Sequence, residues 1–573
     1  MSMSNSGFPW YKFYDEGVIP EGYCNADTLC EIFDKSVREF LDRPAISYDG
    51  IDLSYEKLGK TVERMAAKLQ KHGLEPGERV AIMLPNIPQM VLALFAVLKA
   101  GGVFVMVNPA YMGRELLFQL NDARVKFMIC LDSFWPKISA MQKEMPVEKY
   151  FITGPADWLP FPKNYIYKIK NMAALRKLEI KYNKKSVFPW SDLLEAGNGL
   201  TKHDINAETI AALQYTGGTT GESKGVMLTH HNLCVNVYQI LNHLTPQVVK
   251  LRHVSPATLP FFHVYGLLVS LLTPITLGGL IIPFARFAPH ELLRCMHDRK
   301  ATLFGGSPSM FMALLRAKEI KNYDLSSLKF CICGSAPIPV EHLKQFKELT
   351  GVDICEGYGL TEASPVTHIN PVIGLKKPGS IGIPIPGTEA KIVDMEVGTV
   401  EVPNGKAGEL VIKGPQVMRG YWHKPDDTAS TLRNGWLYTG DIAIMDDDGY
   451  FFIVDRKKDM AIVGGYNVYP REIDEVLHEH PKIKEAVSVG IPHPSKGEVI
   501  KAYIVPEDGV ELEKAEVLAY CRERLAQFKI PRQIEFRDDL PRTMVGKVLR
   551  RILRAEELEK RLERGLDNFS EES

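Results

Sequence analysis

Phosphate-binding chemistry is concentrated in residues 210–230, with the sequence IAALQYTGGTTGESKGVMLTH. An apolar run leads into a loop that combines glycines with threonines and a lysine. Glycines tolerate positive φ and let backbone N–H groups close around an anion, while hydroxyls add donors and the ammonium adds positive charge. The residues concerned are Thr216, Gly217, Gly218, Thr219, Thr220, Gly221, Lys224 and Gly225. The loop does not align with G-x-x-x-x-G-K-[ST], so it predicts another kind of phosphate cradle, with a flexible polar turn as the alternative.

A second stretch, residues 355–365 with the sequence CEGYGLTEASP, carries groups suited to a base and a metal ion. Tyr358 lies between Gly357 and Gly359, and Thr361 and Glu362 follow. A flat aromatic ring can stack on a nucleobase, and a carboxylate can hold Mg²⁺ against phosphate oxygens. Alone, the stretch fits a turn with a capping glutamate equally well.

Three shorter stretches place polar groups next to glycines. LYTGDIA predicts a tight turn before Asp441, whose carboxylate could accept hydrogen bonds from two adjacent ribose hydroxyls. DRKKDMAIVGGYNVYPREIDEV offers Arg456 and the pair Gly464 and Gly465. PRTMVGKVLR places Lys547 on a turn that its neighbouring glycine makes flexible. Taken alone, Asp441 also fits an ordinary turn, and Lys547 also fits a solvent-exposed loop.

The elements that must position these groups follow from hydrophobic periodicity. Between residues 50 and 109, amphipathic helices alternate with short apolar strands such as RVAIMLP and VFVMVNP, and the same rhythm recurs over 251–355. That alternation predicts parallel sheets that helices cover on both faces. Residues 379–449 change to short strands with Gly, Pro and Asp turns. This sequence pattern predicts a small antiparallel sheet or a distorted barrel.

A further change in the sequence pattern near residue 456 predicts a domain boundary. Beyond it we expect a hairpin, the helix PREIDEVLHEH, two strands and the charged helix EKAEVLAYCRERL. The prediction is therefore an α/β protein whose large N-terminal domain, residues 1–455, combines parallel-sheet αβ layers with a small β-barrel. The remaining residues, 456–573, are predicted to form a small α+β domain.

Composition excludes several classes of protein. Lys+Arg 69 against Asp+Glu 70 in 573 residues leaves no overall basic field, so no nucleic-acid partner is predicted. Nine scattered cysteines without a CxxC pair support neither a disulfide framework nor a zinc site, and they indicate a reducing compartment. No signal peptide is expected. The uncharged stretch 264–285 could span a bilayer by length, but its prolines and a Gly-Gly pair favour a buried helix, a turn and a core strand.

In order and spacing, YTGGTTGESKG, GYGLTE, YTGD, DRKKDM and PRTMVGK closely resemble the motifs of the adenylate-forming acyl-CoA synthetases, relatives of firefly luciferase and of nonribosomal peptide adenylation domains. The resemblance covers nearly the whole chain. DRKKDM followed by GYNVYPREIDEV, and the phrase VNPAYMGRELLFQLND, are most similar to bacterial long-chain fatty acid–CoA ligases. A medium- or long-chain fatty acid is therefore the expected substrate.

The resemblance implies a two-step reaction that uses ATP, Mg²⁺ and coenzyme A. A carboxylate attacks the α-phosphate of MgATP to give an acyl-adenylate and pyrophosphate, and the coenzyme A thiol then displaces AMP. A carboxylate is a poor acyl donor and needs a good leaving group, and displacement at phosphorus needs charge neutralisation above all. The polar residues of the motifs fit that requirement.

The nucleotide-binding roles of the family transfer to matching positions of this sequence. Residues 216–224 would hold the β- and γ-phosphates, and Tyr358 would stack on the adenine. The other implied contacts are Gly334, Ser335 and Ala336 beside the adenine, Gly357 and Gly359 next to the stacking ring, Thr361 at the α-phosphate, Glu362 and Thr216 at Mg²⁺, and Asp441 and Arg456 at the ribose.

Catalytic and channel roles are implied for five further residues. Lys547 would bridge the carboxylate and α-phosphate oxygens during adenylation. His263, in LPFFHVYG, matches a position beside the acyl carboxylate, although a histidine in an apolar run also fits a core. Lys458 matches the hinge about which a mobile C-terminal domain swings between the half-reactions. Gly464, which Gly465 follows, stands where many close fatty-acid ligases carry Ser. Because glycine is also small, a channel for the pantetheine arm of coenzyme A is expected to stay open.

The basic stretch 160–185 is the candidate for contact with a membrane surface. It has eight basic residues and one acid, Glu179, interleaved with aromatic and aliphatic residues. Such a surface suits docking on anionic lipid, and an insertion that packs its apolar side on the protein is the alternative. We therefore expect a cytoplasmic enzyme with peripheral contact to the inner face of the membrane. A homodimer stays open.

The identity of the acid also stays open. Apolar runs over 261–270 and 302–315 could line an acyl tunnel or belong to the core. A ligase of aromatic or other non-fatty acids, a luciferase-like oxidase and a nonribosomal carrier-loading module share the ATP motifs. A noncatalytic nucleotide-binding scaffold and a transporter fit the residues less well.

Overall fold

The computed structural model describes residues 7–195, 199–216, 223–244, 246–463, 466–493, 497–543 and 548–563. The chain divides into two compact units. The first comprises Met1–Glu389 and Lys413–Leu437, and the second comprises Ala390–Ile412 and Tyr438–Ser573. The domain boundary predicted between residues 455 and 456 stays a prediction, since both residues lie on one strand of the second unit.

Short runs rich in apolar residues form the strands. In chain order they are β1 Pro44–Tyr48, β2 Ile51–Ser54, β3 Arg79–Met83, β4 Val103–Met106, β5 Val125–Leu131, β6 Lys149–Thr153, β7 Val187–Pro189, β8 Ile210–Thr216, β9 Lys224–Thr229, β10 Val254–Ala257, β11 Leu280–Pro283, β12 Leu303–Gly306, β13 Phe330–Cys333, β14 Ile354–Gly359, β15 Val366–Ile369, β16 Ile383–Pro384, β17 Glu389–Val393, β18 Gly408–Lys413, β19 Gly420–Tyr421, β20 Leu432–Arg433, β21 Trp436–Met445, β22 Phe451–Arg456, β23 Ala461–Val463, β24 Tyr466–Val468, β25 Ile483–His493, β26 Gly497–Pro506 and β27 Gln533–Phe536.

Longer runs, most of them amphipathic, form the helices. In chain order they are α1 Leu29–Glu39, α2 Tyr55–Lys71, α3 Pro88–Lys99, α4 Gly113–Asp122, α5 Trp135–Ala140, α6 Lys163–Lys170, α7 Met172–Lys177, α8 Trp190–Leu194, α9 His230–His243, α10 Pro246–Val249, α11 Thr273–Thr276, α12 Pro289–Asp298, α13 Pro308–Arg316, α14 Val340–Thr350, α15 Pro425–Thr431, α16 Pro470–His478, α17 Lys514–Arg524 and α18 Arg550–Glu563. A π-helix, Gly266–Leu272, and a single 3₁₀ turn, Thr361–Ala363, also bear on the site.

Parallel pairing dominates the first unit, which confirms the prediction from helix–strand alternation. Its largest sheet has the order β19-β9-β8-β4-β3-β5-β6-β7, and all neighbours from β8 to β7 are parallel. A second sheet, β12-β13-β14-β15-β16, is parallel as far as β14, and a third has the order β10-β11-β1-β2. Because the carboxyl ends of parallel strands share one edge of a sheet, the residues after β13 lie beside the end of β14.

Helices α2 and α3 illustrate how the sequence pattern becomes a core. The Ser54 side chain accepts a hydrogen bond from the Lys57 N–H at 3.3 Å and so caps the start of α2. The α2 side chains that repeat every three or four residues are buried, as the amphipathic pattern predicts. In α3 every residue from Pro88 to Leu98 is buried, which is the environment of a helix that is apolar on all sides.

The uncharged stretch 264–285 folds as a buried helix, a glycine turn and a strand, and this confirms the sequence-based prediction. The π-helix Gly266–Leu272 continues directly as α11. Gly278, with φ of +63°, then turns the chain toward β11. No helix in the part of the chain that the structure describes is long and apolar enough to cross a membrane.

The second unit contains the predicted small sheet and a mixed α+β part. Strands β17, β18, β21 and β22 belong to the small sheet, with β21 and β22 paired antiparallel. The mixed part has the strand order β24-β23-β26-β25, and β27 pairs parallel with β26. Ile473 of α16 and Val517 of α17 belong to one buried cluster, and Leu553 of α18 belongs to another. The predicted hairpin, helices and strands of the C-terminal part are therefore confirmed.

Candidate active site

Two paired strands bracket the predicted phosphate loop. β8 and β9 are antiparallel, and Thr216 at the end of β8 lies opposite Lys224 at the start of β9. The Ser223 hydroxyl donates a hydrogen bond to the Thr216 carbonyl. The structure therefore brings the two ends of the loop side by side. The predicted residues between them, Gly217, Gly218, Thr219 and Thr220, lie outside the described residues.

The predicted phosphate-binding lysine has a carboxylate partner in the first unit. The Lys224 ammonium forms an ion pair with Asp427 in α15 and lies 5.1 Å from the centroid of the Tyr421 ring. A phosphate at Lys224 would therefore compete with Asp427 for the ammonium. Asp427 was not predicted from the sequence. The sequence contains one indication of it. Pro425 favours the start of a helix, and acidic residues such as Asp427 are stabilised in the first turn of a helix.

Glu362 is held in place from two directions. It lies in the 3₁₀ turn Thr361–Ala363, and its backbone carbonyl accepts a hydrogen bond from the Met418 N–H at 2.8 Å. Its Oε1 accepts a hydrogen bond from the Tyr421 hydroxyl at 2.8 Å. Burial, and then the nearby Glu362 carboxylate, raise the pKa of Tyr421, which keeps its hydroxyl protonated as a donor. Because Tyr421 pairs with Val226 of β9, this hydrogen bond ties Glu362 to the strand that begins at Lys224.

The chemistry of Glu362 fits a magnesium ion that is shared with nucleotide phosphates. The Tyr421 hydroxyl binds Oε1, and no described residue donates a hydrogen bond to Oε2. Mg²⁺ at such sites takes one or two carboxylates and completes its coordination with phosphate oxygens and water. The described residues contain no cluster of three His, Cys, Asp or Glu that could hold a metal by themselves. The Glu362 carboxylate has the oxygen chemistry that a magnesium ion requires, and Glu362 and the Thr216 hydroxyl stay the predicted ligands.

The residues predicted to surround adenine lie at the carboxyl edge of one sheet. β13 and β14 are parallel neighbours, with Cys333 opposite Glu356, so 334–336 and 357–359 follow at the same edge. Gly334 is buried, Ser335 has φ of +75° and Ala336 is exposed. The half-buried ring of Tyr358 makes an edge contact with His368, at 6.0 Å between centroids.

Close packing explains two of the glycines in this part of the site. A Cβ on Gly359 would lie 2.0 Å from the Pro365 carbonyl oxygen, so no side chain fits there. A Cβ on Gly334 would lie 3.2 Å from the Tyr265 ring, whose hydroxyl lies 3.2 Å from the carbonyl oxygens of Gly306 and Ile332. The protein's own backbone therefore excludes a side chain at 359, and the Tyr265 ring leaves little room for one at 334. Their presence alone does not report a ligand.

His263 lies in a segment that other side chains fix in place. Asn86 accepts a hydrogen bond from the Phe261 N–H at 2.8 Å, and Gln214 of β8 donates to the Phe262 carbonyl at 2.7 Å. The His263 Nδ1 accepts from the Tyr265 N–H at 3.2 Å, so the proton of a neutral ring lies on Nε2. His263 is half-buried and its segment is tied to β8, two residues before Thr216. Asn86 and Gln214 were not predicted, since single polar residues in apolar runs carry no distinct signal.

In the second unit, the two residues predicted at the ribose form a pair. Asp441 on β21 lies opposite Arg456 on β22, and Arg456 Nε is 3.1 Å from Asp441 Oδ1. The predicted tight turn before Asp441 is wrong, because Gly440 lies inside β21. Its φ of +70° and its N–H donation to Glu409 at 3.1 Å fit an irregular strand. Burial, and then the Arg456 guanidinium, lower the pKa of Lys458 to about 8.

Three predicted residues of the second unit lie outside the described residues. They are Gly464, Gly465 and Lys547. The segments on either side of them belong to β23 and β24, and to a backbone bridge between Arg542 and Val548. Their roles stay predictions.

Comparison with known proteins agrees with the motif pattern. The AMP-binding enzyme family matches residues 33–422, and the AMP-binding enzyme C-terminal domain matches residues 472–547. A long-chain-fatty-acid–CoA ligase of Bacillus subtilis is 44% identical over 555 residues, which are 96% of this chain and 98% of that protein. A feruloyl-CoA synthase of an Amycolatopsis species is 34% identical over 510 residues, 88% of this chain and 94% of that protein.

The fold has a counterpart among solved structures. The crystal structure of ATP-bound MatB from Rhodopseudomonas palustris matches with a TM-score of 0.80 and 32% identity, covering 92% of this chain and 98% of that one. The first matched range includes the 210–230 and 355–365 stretches, and the second ends at Lys547. The predicted fold class is therefore confirmed, and the chain belongs to the family of AMP-binding enzymes.

Proposed function

We propose that this chain converts a long-chain fatty acid and coenzyme A to the acyl-CoA thioester, with cleavage of ATP to AMP and pyrophosphate. The observation that carries the proposal is 44% identity, over 96% of the chain, to a long-chain-fatty-acid–CoA ligase. The chain is accordingly an AMP-forming acid–thiol ligase that uses ATP and Mg²⁺.

In the first step, a carboxylate oxygen of the acid forms a bond to the α-phosphorus, and the bond from that phosphorus to pyrophosphate breaks. Mg²⁺, when bound, supplies positive charge to the phosphate oxygens, and Glu362 with Thr216 would hold it. Thr361 is proposed to contact the α-phosphate. Lys547 is proposed to neutralise the charge that develops between the entering carboxylate and the α-phosphate. Lys224 is proposed to bind the β- and γ-phosphates in exchange for Asp427.

In the second step, the coenzyme A sulfur bonds to the acyl carbon, the carbon–oxygen bond to phosphate breaks, and AMP leaves with the electron pair. The thiol proton passes to solvent. His263 is proposed to lie beside the acyl carboxyl group. Its Nδ1 accepts the Tyr265 N–H, so a neutral ring carries its proton on Nε2. Lys458 is proposed as the hinge residue, with Gly464 and Gly465 beside the pantetheine path.

The nucleoside contacts are proposed from the motif positions and from their placement within each unit. Tyr358 is proposed to stack on adenine, and Asp441 to accept hydrogen bonds from the ribose hydroxyls while Arg456 orients its carboxylate. The proposal is supported by the common edge that 334–336 and 357–359 share, and by the 3.1 Å pair of Asp441 and Arg456. The domains proposed to carry these parts are 1–455 and 456–573.

A ligase of aromatic acids is the second candidate, because a feruloyl-CoA synthase is 34% identical over 88% of the chain. A panel from acetate to oleate, with benzoate and ferulate added, separates the two in a coenzyme A-dependent AMP-release assay. We expect kcat/KM to rise with chain length and to be at least roughly tenfold higher for oleate than for ferulate, since each methylene group gains about 0.8 kcal/mol on burial. A higher value for ferulate or benzoate would assign the chain to the aromatic ligases.

We also propose that α6 and α7 dock on an anionic membrane surface. Tyr165 and Ile169 lie one turn apart on α6 and are 60% and 66% exposed, and Phe161, just before the helix, is 79% exposed. Tyr167 and Leu175 are the more buried side chains of the same helices, so this apolar stripe is not covered by the first unit. Exposed aromatic and aliphatic residues among basic side chains match an interfacial helix. A homodimer stays a prediction.

Vesicle pelleting tests the docking. Wild-type protein is expected to pellet with phosphatidylglycerol vesicles at low salt and to be released at high salt. Lys163→Glu/Lys170→Glu is expected to weaken binding at least tenfold, from about 1 kcal/mol per basic residue. Lys318→Glu/Lys321→Glu, which reverses two exposed lysines elsewhere on the first unit, is the matched control. Equal binding by both double variants, or binding that is indifferent to salt, would refute the assignment of the surface.

A further inference from the structure

A buried glutamine of β8 is bound to the peptide that leads into His263. The Gln214 Nε2 donates a hydrogen bond to the Phe262 carbonyl at 2.7 Å. A carbonyl oxygen only accepts, so the amide nitrogen of Gln214 must face it. Gln214 is 4% exposed, and its Oε1 has no hydrogen-bond partner among the described residues. The bond to Phe262 therefore offsets part of the cost of burying this amide.

Strand alternation places Gln214 on the same face of β8 as Thr216. The pairing of β8 with β9 is regular from residue 212 to residue 216, so successive side chains point to opposite faces. Tyr215 points to the other face, where its hydroxyl donates a hydrogen bond to Asp122 of α4. The predicted magnesium ligand Thr216 and the segment that carries His263 therefore lie on one face of the sheet.

A second buried amide, that of Asn86 between β3 and α3, holds the earlier part of the same segment. It makes three hydrogen bonds of 2.8–3.0 Å, to the Ala257 carbonyl, the Leu259 carbonyl and the Phe261 N–H. The backbone is therefore anchored as far as residue 261 without Gln214. The bond from Gln214 acts on the last peptide before His263.

We infer that Gln214 is a positioning residue for the acyl carboxyl group. The peptide plane that it holds sets the direction in which the His263 side chain leaves the backbone, so Gln214 acts through His263 and contacts no substrate itself. The inference rests on the proposed function and on the proposed place of His263 beside the acyl carboxyl group. Because that group takes part in both half-reactions, the effect is expected in both, and it is expected for the acid more than for ATP.

Another buried glutamine of the first unit offers a matched control. Gln119 in α4 is 1% exposed, and its Nε2 donates to the Met106 carbonyl at 2.8 Å. Its Oε1 likewise has no hydrogen-bond partner in the described part of the chain. It lies on the opposite face of the sheet, because α4 contacts the Tyr215 side. Gln→Met removes the donor and keeps the length of the side chain, so the two variants should lose similar stability.

The test combines Gln214→Met with His263→Ala in a double-mutant cycle on the full chain. The measurement is the exchange of labelled pyrophosphate into ATP, with oleate and ATP titrated in turn. Gln214→Met is expected to lower kcat/KM for oleate at least roughly tenfold, as a displaced active-site group does, and to change the KM for ATP less than about threefold.

His263→Ala alone is also expected to lower kcat/KM for oleate at least roughly tenfold. In that background Gln214→Met should change kcat/KM for oleate by less than about threefold, because the group that it positions is gone. Gln119→Met should stay within about threefold of wild type in every measurement, since it removes a donor on the other face of the sheet.

Equal losses from Gln214→Met in the wild-type and His263→Ala backgrounds would show that Gln214 does not act through His263, and would overturn the inference. Equal effects of Gln214→Met and Gln119→Met, or a His263→Ala variant with wild-type activity, would overturn it as well. If thermal unfolding shows that Gln214→Met does not fold, Gln214→Leu decides by the same cycle.

Two results separate the inference from the proposed function. Wild-type protein that shows acid-dependent exchange, together with Gln214 variants that match it, refutes the inference alone. Wild-type protein that exchanges pyrophosphate with no acid refutes the proposed function and the inference with it.

Discussion

Replacement of Lys547 by alanine is expected to abolish most acid-dependent adenylation while sparing thioester formation from supplied acyl-adenylate. The expected loss in the first half-reaction is about 10²–10³-fold, or about 3–4 kcal/mol of transition-state stabilisation, by analogy with the removal of an oxyanion donor. The physical reason is that the carboxylate and the α-phosphate are both anionic. A cation between them is needed only while their new bond forms.

Two single-turnover assays measure this effect, one started with ATP and fatty acid and one with purified acyl-adenylate and coenzyme A. Lys484→Ala is the matched control, because Lys484 lies in the same unit and forms an exposed ion pair with Asp508 at 2.9 Å. Such surface pairs contribute little, so this variant should behave as wild type. Equal loss of both half-reactions in Lys547→Ala would refute the assigned role.

The second large effect is expected at Glu362. Glu362→Gln keeps the shape of the side chain and can still accept the Tyr421 hydrogen bond, but it removes the negative charge that a magnesium ligand requires. We expect adenylation to fall about 100-fold and the Mg²⁺ concentration for half-maximal rate to rise. The measurement is the initial rate of pyrophosphate release over a Mg²⁺ titration at fixed ATP.

Tyr421→Phe separates charge from positioning at this carboxylate. It removes the 2.8 Å hydrogen bond to Oε1 and leaves the charge in place. The adenylation rate should therefore fall less than about tenfold, and the Mg²⁺ concentration for half-maximal rate should rise less than in Glu362→Gln. A Glu362→Gln variant with an unchanged Mg²⁺ requirement would remove Glu362 from the metal site, whatever its overall rate.

Much of the fold could be predicted because local patterns determine it. The apolar spacing of α2, the predominantly apolar α3 and the glycine turn before β11 all follow from periodicity and from residue conformational preference. The place of Gly440 inside β21 did not follow from its residue type, because a glycine next to Asp fits a turn as well as an irregular strand.

The contacts between distant residues could not be predicted in the same way. Lys224 pairs with Asp427, and Glu362 with Tyr421, across 203 and 59 positions of sequence. Nothing in the spacing of either pair indicates that β9 and β19 become neighbours. The motifs identified Lys224 and Glu362 as polar groups with a role, and the sheet pairing determined which side chains hold them.

The surface stretch 160–185 shows a third case, in which the sequence allowed two arrangements. A basic amphipathic helix can pack its apolar side on the protein or leave it exposed. The exposure of Phe161, Tyr165 and Ile169 distinguishes the two, because a packed stripe would be buried. Sequence periodicity shows that a helix has an apolar face. Which residues cover that face depends on the fold.

The most direct test of the account is the exchange of labelled pyrophosphate into ATP by the purified chain, with Mg²⁺ and a fatty acid but without coenzyme A. Reversible formation of an acyl-adenylate returns label to ATP, so the account predicts exchange that depends on both the acid and Mg²⁺. It also predicts that Lys547→Ala loses this exchange. The absence of label in ATP with every acid from acetate to oleate, and with benzoate and ferulate, would contradict the central claim that this chain activates carboxylic acids as adenylates.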